Sequence, residues 1–174
     1  MITTRQATPN DAQEVQSVMD AAFASVRDVY RPKPNAVPTS ENADLDTETI
    51  VALVDGEIAG AVCVYSEGAA LHVSQLAVVP KLRKRGVARA LLQSVNDAAI
   101  QRGAIKLRLN TIQETGNVAI FQRLGFTVDT TTEATWCISE RFPQLHDVSM
   151  NRPCNSLLDS PTCAGNSTRL LTFV

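Results

Sequence analysis

A chain of 174 residues is long enough for one domain with a proper core and too short for two of ordinary size. Its 16 Lys and Arg nearly balance its 18 Asp and Glu, so the composition excludes the strongly basic surface of a typical nucleic-acid binder. Cys63, Cys137, Cys154 and Cys163 lie far apart with no CxxC pair, and only two histidines are present to complete a metal site, which argues against zinc. The opening residues 1–13 are polar, without the apolar stretch of a leader, and no later run approaches the roughly 18 apolar residues of a membrane span. The expectation is a cytoplasmic protein with reduced cysteines and no membrane partner.

Residues 2–7 predict a short strand. Thr8, Pro9, Asn10 and Asp11 then supply capping groups around a proline suited to a first helical turn. Val15, Val18, Met19, Ala22 and Phe23 recur at helical spacing, so a helix is expected to about Phe23. From Ser25 to Glu48 the rhythm is lost, because Pro32, Pro34 and Pro38 each bias the preceding residue away from helix. A broken second helix over 24–30 fits, followed by a polar loop that reads either as a solvated connection or as a lid.

Residues 49–54 and 57–65 are rich in strand formers and joined by Asp55-Gly56, a dipeptide that takes the positive φ angles of a two-residue hairpin turn. After the turn at Ser66-Glu67-Gly68, residues 70–79 form a third antiparallel strand. If that strand is regular, His72, Ser74, Leu76 and Val78 share a face, and a bulge would break the alternation. Val87, Leu91, Val95 and Ala98 define a strong helix that ends at Arg102-Gly103. Ile105, Leu107 and Leu109 alternate with polar residues as a strand, and a shorter helix runs from about Asn117 to Leu124. Residues 127–138 and 145–152 read as two last strands joined by a turn over 139–144. The order of elements implies an α/β fold with a mixed, mostly antiparallel sheet and flanking helices. Residues 1–153 form the domain. The Ser, Thr, Asn, Pro and Gly of 154–174 read as an appendage of low inherent order, ending in the apolar scrap Leu170 to Val174.

Lys81, Arg83, Lys84, Arg85 and Arg89 put five cations in nine residues at the start of the second strong helix, where they oppose the helix dipole. A bound anion removes that conflict, and Gly86 with the unbonded amides of a helix start suits a phosphate. A solvated basic loop is the alternative. Neither GxGxxG nor GxxxxGK[ST] is present, so no dinucleotide fold or P-loop is supported.

Arg83-Lys84-Arg85-Gly86-Val87-Ala88, reached from Leu76-Ala77-Val78-Val79-Pro80, resembles the acetyl-CoA motif of the GCN5-related N-acetyltransferases (GNAT). A helix ending in Leu124-Gly125-Phe126 matches the family's second signal, and the likeness covers residues 1 to 153. The resemblance implies that the pyrophosphate of acetyl-CoA sits on the backbone amides of Arg83, Lys84, Arg85, Gly86, Val87 and Ala88. It places the pantetheine arm along Leu76, Ala77, Val78, Val79 and Pro80, with an amide near Leu76 facing the thioester oxygen. Asn117 is either a cap or a cofactor ligand.

The acceptor amine must lose a proton before attack, since an alkyl ammonium has a pKa of about 10.4. His72 stands where some members of the family carry their catalytic Glu, with Glu67 as second choice; a polar residue on a half-exposed strand is the plainer reading of His72. The position where the family often has a Tyr acid is Phe121, which cannot donate a proton, so water, Tyr65 or Tyr30 would have to serve. Tyr30, Arg31 and Lys33 would suit an acceptor carrying a carboxylate. The expected activity is N-acetyl transfer to a primary amine of a small molecule or peptide, by a monomer or homodimer. The rival is a non-catalytic acyl-CoA-binding module of the same fold, and a nucleic-acid-binding role for the basic loop is the weakest reading.

Overall fold

A computed structural model describes residues 1–33 and 46–154. The strands are β1 (Ile2–Gln6), β2 (Arg31–Pro32), β3 (Glu48–Val54), β4 (Glu57–Glu67), β5 (Ala70–Val78), β6 (Lys106–Ile112), β7 (Thr127–Glu133), β8 (Cys137–Ile138) and β9 (His146–Pro153). The helices are α1 (Ala12–Ala24), α2 (Val87–Gln101) and α3 (Asn117–Arg123). Seven strands form one sheet in the order β1-β3-β4-β5-β6-β9-β7, antiparallel throughout except for the parallel pair β5/β6. The mixed sheet with flanking helices is as expected.

Alternation along the strands builds two layers. Val62, Val64, Leu71, Val73, Leu107, Leu109 and Met150 face the α2/α3 side with Leu91, Leu92, Val95 and Phe121. Val51, Ala61 and Ala77 face the other way and pack on Val18, Met19 and Ala22 of α1. The hairpin turn is as its sequence demands, Asp55 at φ 53° and Gly56 at φ 90°.

Two local expectations are corrected, and an alternative left open by the sequence is decided. Residues 24–30 continue α1 as successive turns and not as a separate helix: Tyr30 N–H reaches Val26 O (3.0 Å), and Val26 and Val29 are buried. The strand expected over 127–138 is two, because after Glu133 pairs with His146 the chain turns at Thr135 and Trp136. Cys137 and Ile138 then pair with Pro32 and Arg31, a ribbon between distant segments that no local pattern announces. Finally, β5 carries a bulge at Ser74: Val64 pairs with Val73, but Cys63 pairs with Gln75. The extra residue reverses the alternation, so Val73, Leu76 and Val78 share the α2/α3 core while His72 faces the opposite side. The lid or solvated connection falls largely on residues 34–45, and the appendage, Cys163 and the Leu170 to Val174 scrap fall on 155–174, all outside the described residues.

The start of α1 is fixed by a charged knot. Arg5 donates two hydrogen bonds to Asp11 (2.7 and 2.9 Å), and Asp11 also accepts from the Thr8 N–H (2.6 Å) and hydroxyl (2.8 Å). The Arg5 guanidinium, followed by the two Thr8 donors, holds the Asp11 carboxyl well below the usual carboxylate range. A carboxyl whose pKa is lower in the folded state contributes stability above its unfolded value of about 3.9 and loses it as pH falls through the folded value. Asp11→Asn is therefore expected to lower Tm at pH 6, and the gap to wild type should narrow steadily below about pH 4. Thermal melts of both proteins from pH 6 to pH 2.5 check this, and a gap independent of pH would contradict it.

Candidate active site

The site is built where β5 and β6 part. They pair only from Ala70 with Lys106 to Val73 with Leu109. Beyond the Ser74 bulge, β5 stays with β4, its Leu76 opposite Val62 and its Val78 opposite Gly60, while β6 is held along its length by β9. The Ser74 hydroxyl seals the bulge by donating to Cys63 O (3.1 Å). Val79 N–H is spent on Ala59 O (2.9 Å), so by alternation the N–H groups of Val78 and Leu76 turn to the open edge of β5. A cleft of about 260 Å³ fills the gap. A run of free main-chain donors beside it would suit an extended amide-bearing ligand.

That edge leads directly to the start of α2. Pro80 to Leu82 make a single 3-10 turn, Lys84 takes φ 64°, and Gly86 at φ 91° is the residue preceding the helix. The first bond of the helix runs from Ala90 N–H to Gly86 O (3.0 Å), leaving the amides of Gly86, Val87, Ala88 and Arg89 without acceptors inside α2. Lys81, Lys84, Arg85 and Arg89 are exposed around them. Arg83 differs from its neighbours. Its side chain turns inward, Nε to Val78 O (3.4 Å) and Nη2 to the Ser25 hydroxyl (3.0 Å), and braces the β5 edge against the end of α1. Burial lowers its pKa. The sequence offered it only as part of a basic field.

Both layers contribute walls to the cleft. Val73, Leu76, Leu109 and Phe121 come from the α2/α3 core, and Asn117 stands beside them, buried at the start of α3. Phe121 meets Phe126 edge to face, with centroids 5.8 Å apart. From the α1 side come Phe23, Val26, Tyr30, Trp136 and Asp147. Of these, only Tyr30 stood out in the sequence; Trp136 and Asp147 arrive through the β2/β8 ribbon and the β6/β9 register, for which a single sequence carries no signal. Arg31 and Lys33 do not line the cleft, and Arg31 is paired with Glu140 (3.1 Å).

His72 precedes the cleft-lining stretch of β5 and does not itself line the cleft. Its ring stacks on Tyr65 with centroids 4.7 Å apart, and Nδ1 lies 3.5 Å from the Glu67 carboxylate. That separation is too long for a formed hydrogen bond, and buried Nδ1 has no other partner among the described residues. Burial pushes the His72 pKa down, against the opposing pull of Glu67, so the ring is neutral at neutral pH. Glu67 in turn reaches Arg108 (3.5 Å). At the far end of the cleft His146 clamps Glu114, its N–H and Nδ1 lying 3.1 and 2.7 Å from the two carboxylate oxygens, which ties the β6–α3 turn to β9.

Among the described residues, no group of three or more His, Cys, Asp and Glu side chains could hold a metal, and no helix is long and apolar enough to cross a membrane.

Residues 20–137 match the family model described as an acetyltransferase (GNAT) domain. Nourseothricin acetyltransferase is a similar solved structure, at 25% identity and TM-score 0.66, over 88% of this chain and 99% of that one. The ribosomal-protein-S18-alanine N-acetyltransferase from Escherichia coli is 17% identical with TM-score 0.70, over 95% of this chain and 100% of its own. PaiA N-acetyltransferase from Thermoplasma acidophilum, solved with coenzyme A, is 15% identical with TM-score 0.68, over 88% of this chain and 99% of its own.

Proposed function

The chain belongs to the GNAT acetyltransferases, and from that premise we propose that it transfers an acetyl group from acetyl-CoA to a primary amine of a small molecule or peptide. One observation carries the reading: an unpaired β5 edge runs from the unbonded amides of α2 into a cleft that opens through the sheet. Acetyl-CoA supplies an acyl thioester open to direct attack by an amine. The amides of Lys84 to Ala88 hold its phosphates, with Gly86 permitting close approach, while the Arg83 N–H expected among them is spent on Pro80 O (3.3 Å). The edge of Leu76 to Pro80 takes the pantetheine arm, and the Leu76 N–H stabilises the negative charge that develops on the acyl oxygen. Asn117 and Phe121 line the cleft that would receive the thioester.

His72, neutral and coupled to Glu67, is assigned to take the proton of the incoming ammonium through water. A ring held below the ordinary value of about 6.5 by burial remains a base at lower pH than free imidazole. Phe121 favours the alternative of a non-catalytic acyl-CoA-binding module, since no acid stands at that position. A thiol of pKa about 8.5 nevertheless leaves tolerably as thiolate, so the acid is dispensable.

A panel of amines assayed for free thiol release separates the two. With an accepted amine, the acid limb of the pH–rate profile is expected below pH 6.5. His72→Gln is expected to remove that limb and lower kcat by roughly 10²-fold while acetyl-CoA still raises Tm. An unchanged profile removes His72 from the mechanism, and silence across the panel despite cofactor binding favours the module.

A further inference from the structure

Asp147 stands out among the described residues that line the cleft, as the one charged side chain there. It accepts a hydrogen bond from Asn110 (3.0 Å) and, among the described residues, pairs with no cation. Of the described cations around this end, Lys33 lies near Cys137 outside the cleft lining, and the others are committed. Arg31 pairs with Glu140 (3.1 Å), Arg141 with Asp28 (3.0 Å), Arg108 with Glu67 (3.5 Å), and Arg83 is held by Ser25 and Val78 O. The walls beside Asp147 are aromatic. Tyr30 meets Trp136 edge to face, centroids 6.1 Å apart at 84°, and Phe23 faces the same space. Aromatic faces around one carboxylate, with no cation among the lining residues, form a trap for an alkyl ammonium. They are a poor seat for a carboxylate, which would meet Asp147 at short range with no lining cation to offset the repulsion.

We propose that the α1-side end of the cleft selects an acceptor with a second ammonium group, of the linear aliphatic diamine class, and that Asp147 and the Tyr30/Trp136 pair hold the ammonium that is not acetylated. The acceptor then lies through the sheet, its distal cation against Asp147 and its reacting nitrogen directed toward the open edge of β5 at Leu76. This assignment rests on the acetyltransferase reading of the cleft. It reverses the expectation that Tyr30, Arg31 and Lys33 receive an acceptor carboxylate: Tyr30 belongs to the cleft, but Arg31 is turned to Glu140.

Trp136, the chain's single tryptophan, reports occupancy without any need for turnover. With the protein saturated by CoA, its fluorescence is titrated with α,ω-diamines of three to five carbons, with n-butylamine and with 4-aminobutanoate. The best diamine is expected to bind about tenfold or more tightly than n-butylamine, with 4-aminobutanoate weakest. Asp147→Asn is expected to cut that preference to about twofold or less, its fold certified by the Tm rise that acetyl-CoA gives. Equal affinity for diamine and n-butylamine, a preference for 4-aminobutanoate, no response to any diamine at millimolar concentration, or an undiminished preference in Asp147→Asn would each overturn the assignment. Thiol release is measured separately. Diamine-selective binding without release overturns the acetyltransferase reading and leaves the cation site standing.

Discussion

Gly86→Asp is expected to abolish the rise in melting temperature that acetyl-CoA should give the wild-type protein, while the variant itself stays folded. The expectation comes from opposing local effects. Gly86 sits at φ 91°, and a side chain there costs about 1–2 kcal/mol of backbone strain. Aspartate offsets part of that cost, since it tolerates the left-handed region better than most residues and a carboxylate preceding α2 favours the helix dipole. Space is not the obstacle, because an added Cβ meets only Ile2 Cδ1 at 3.8 Å. The cradle, however, receives a fixed negative charge where the cofactor phosphates belong. At acetyl-CoA a hundredfold above its Kd the wild type gains about 2.7 kcal/mol, which raises Tm by roughly 5–11 °C in a protein of this size. The variant should show less than about 1 °C under the same conditions. Gly86→Ala bears the same φ strain without the charge and is expected to keep most of the shift, which separates strain from electrostatics. A full shift in Gly86→Asp would move the phosphate site away from this loop.

Gly60→Ala, outside the cleft lining, should be among the most destabilising single-methyl changes in the chain. A Cβ at this position would lie 2.8 Å from Ala77 O, 2.9 Å from Val87 Cγ1 and 3.2 Å from Leu91 Cδ1. The first contact is backbone of β5, which cannot yield cheaply, and the other two are side chains of the first turns of α2 that are fully buried in the core. Overpacking of this kind costs about 3 kcal/mol, or roughly 6–12 °C in Tm. The relief available is to lift the start of α2 from the sheet, and that start is the phosphate cradle. Weaker acetyl-CoA binding is therefore expected alongside the lower Tm, read by melts with and without cofactor. A stable variant with unchanged affinity would show that α2 does not rest on Gly60.

The elements were legible where a local rule governs them. The Asp55-Gly56 turn needs two positive φ angles and has them. The α2 stripe of Val87, Leu91 and Val95 recurs at helical spacing and is buried as one face. The Thr8 to Asp11 start of α1 has its capping groups in place, although the bidentate grip of Arg5 on Asp11 joins separate elements and was not visible. Where the outcome depended on a choice between strands, local pattern gave no guidance. Whether β5 carries a bulge decides which face His72 takes, and His72, Ser74, Leu76 and Val78 accommodate either arrangement until β4 pairs with them. Arg83 shows the same limit for a side chain: among five similar cations, only its neighbours Ser25 and Val78 distinguish the brace from the field.

The amino-acid sequence by itself determined the helices, the hairpin, the basic loop with its glycine, and through them the family likeness, because each depends on spacing within a dozen residues or so. The tertiary structure decided the parting of β5 from β6, the inward turn of Arg83, and the meeting of Tyr30, Trp136 and Asp147 in one cleft. These depend on register between segments as far apart as Arg31 and Ile138, or Ile112 and Asp147. Register is set by which faces can be buried together across the whole sheet, and that is a property of the assembled core and not of any one stretch of chain.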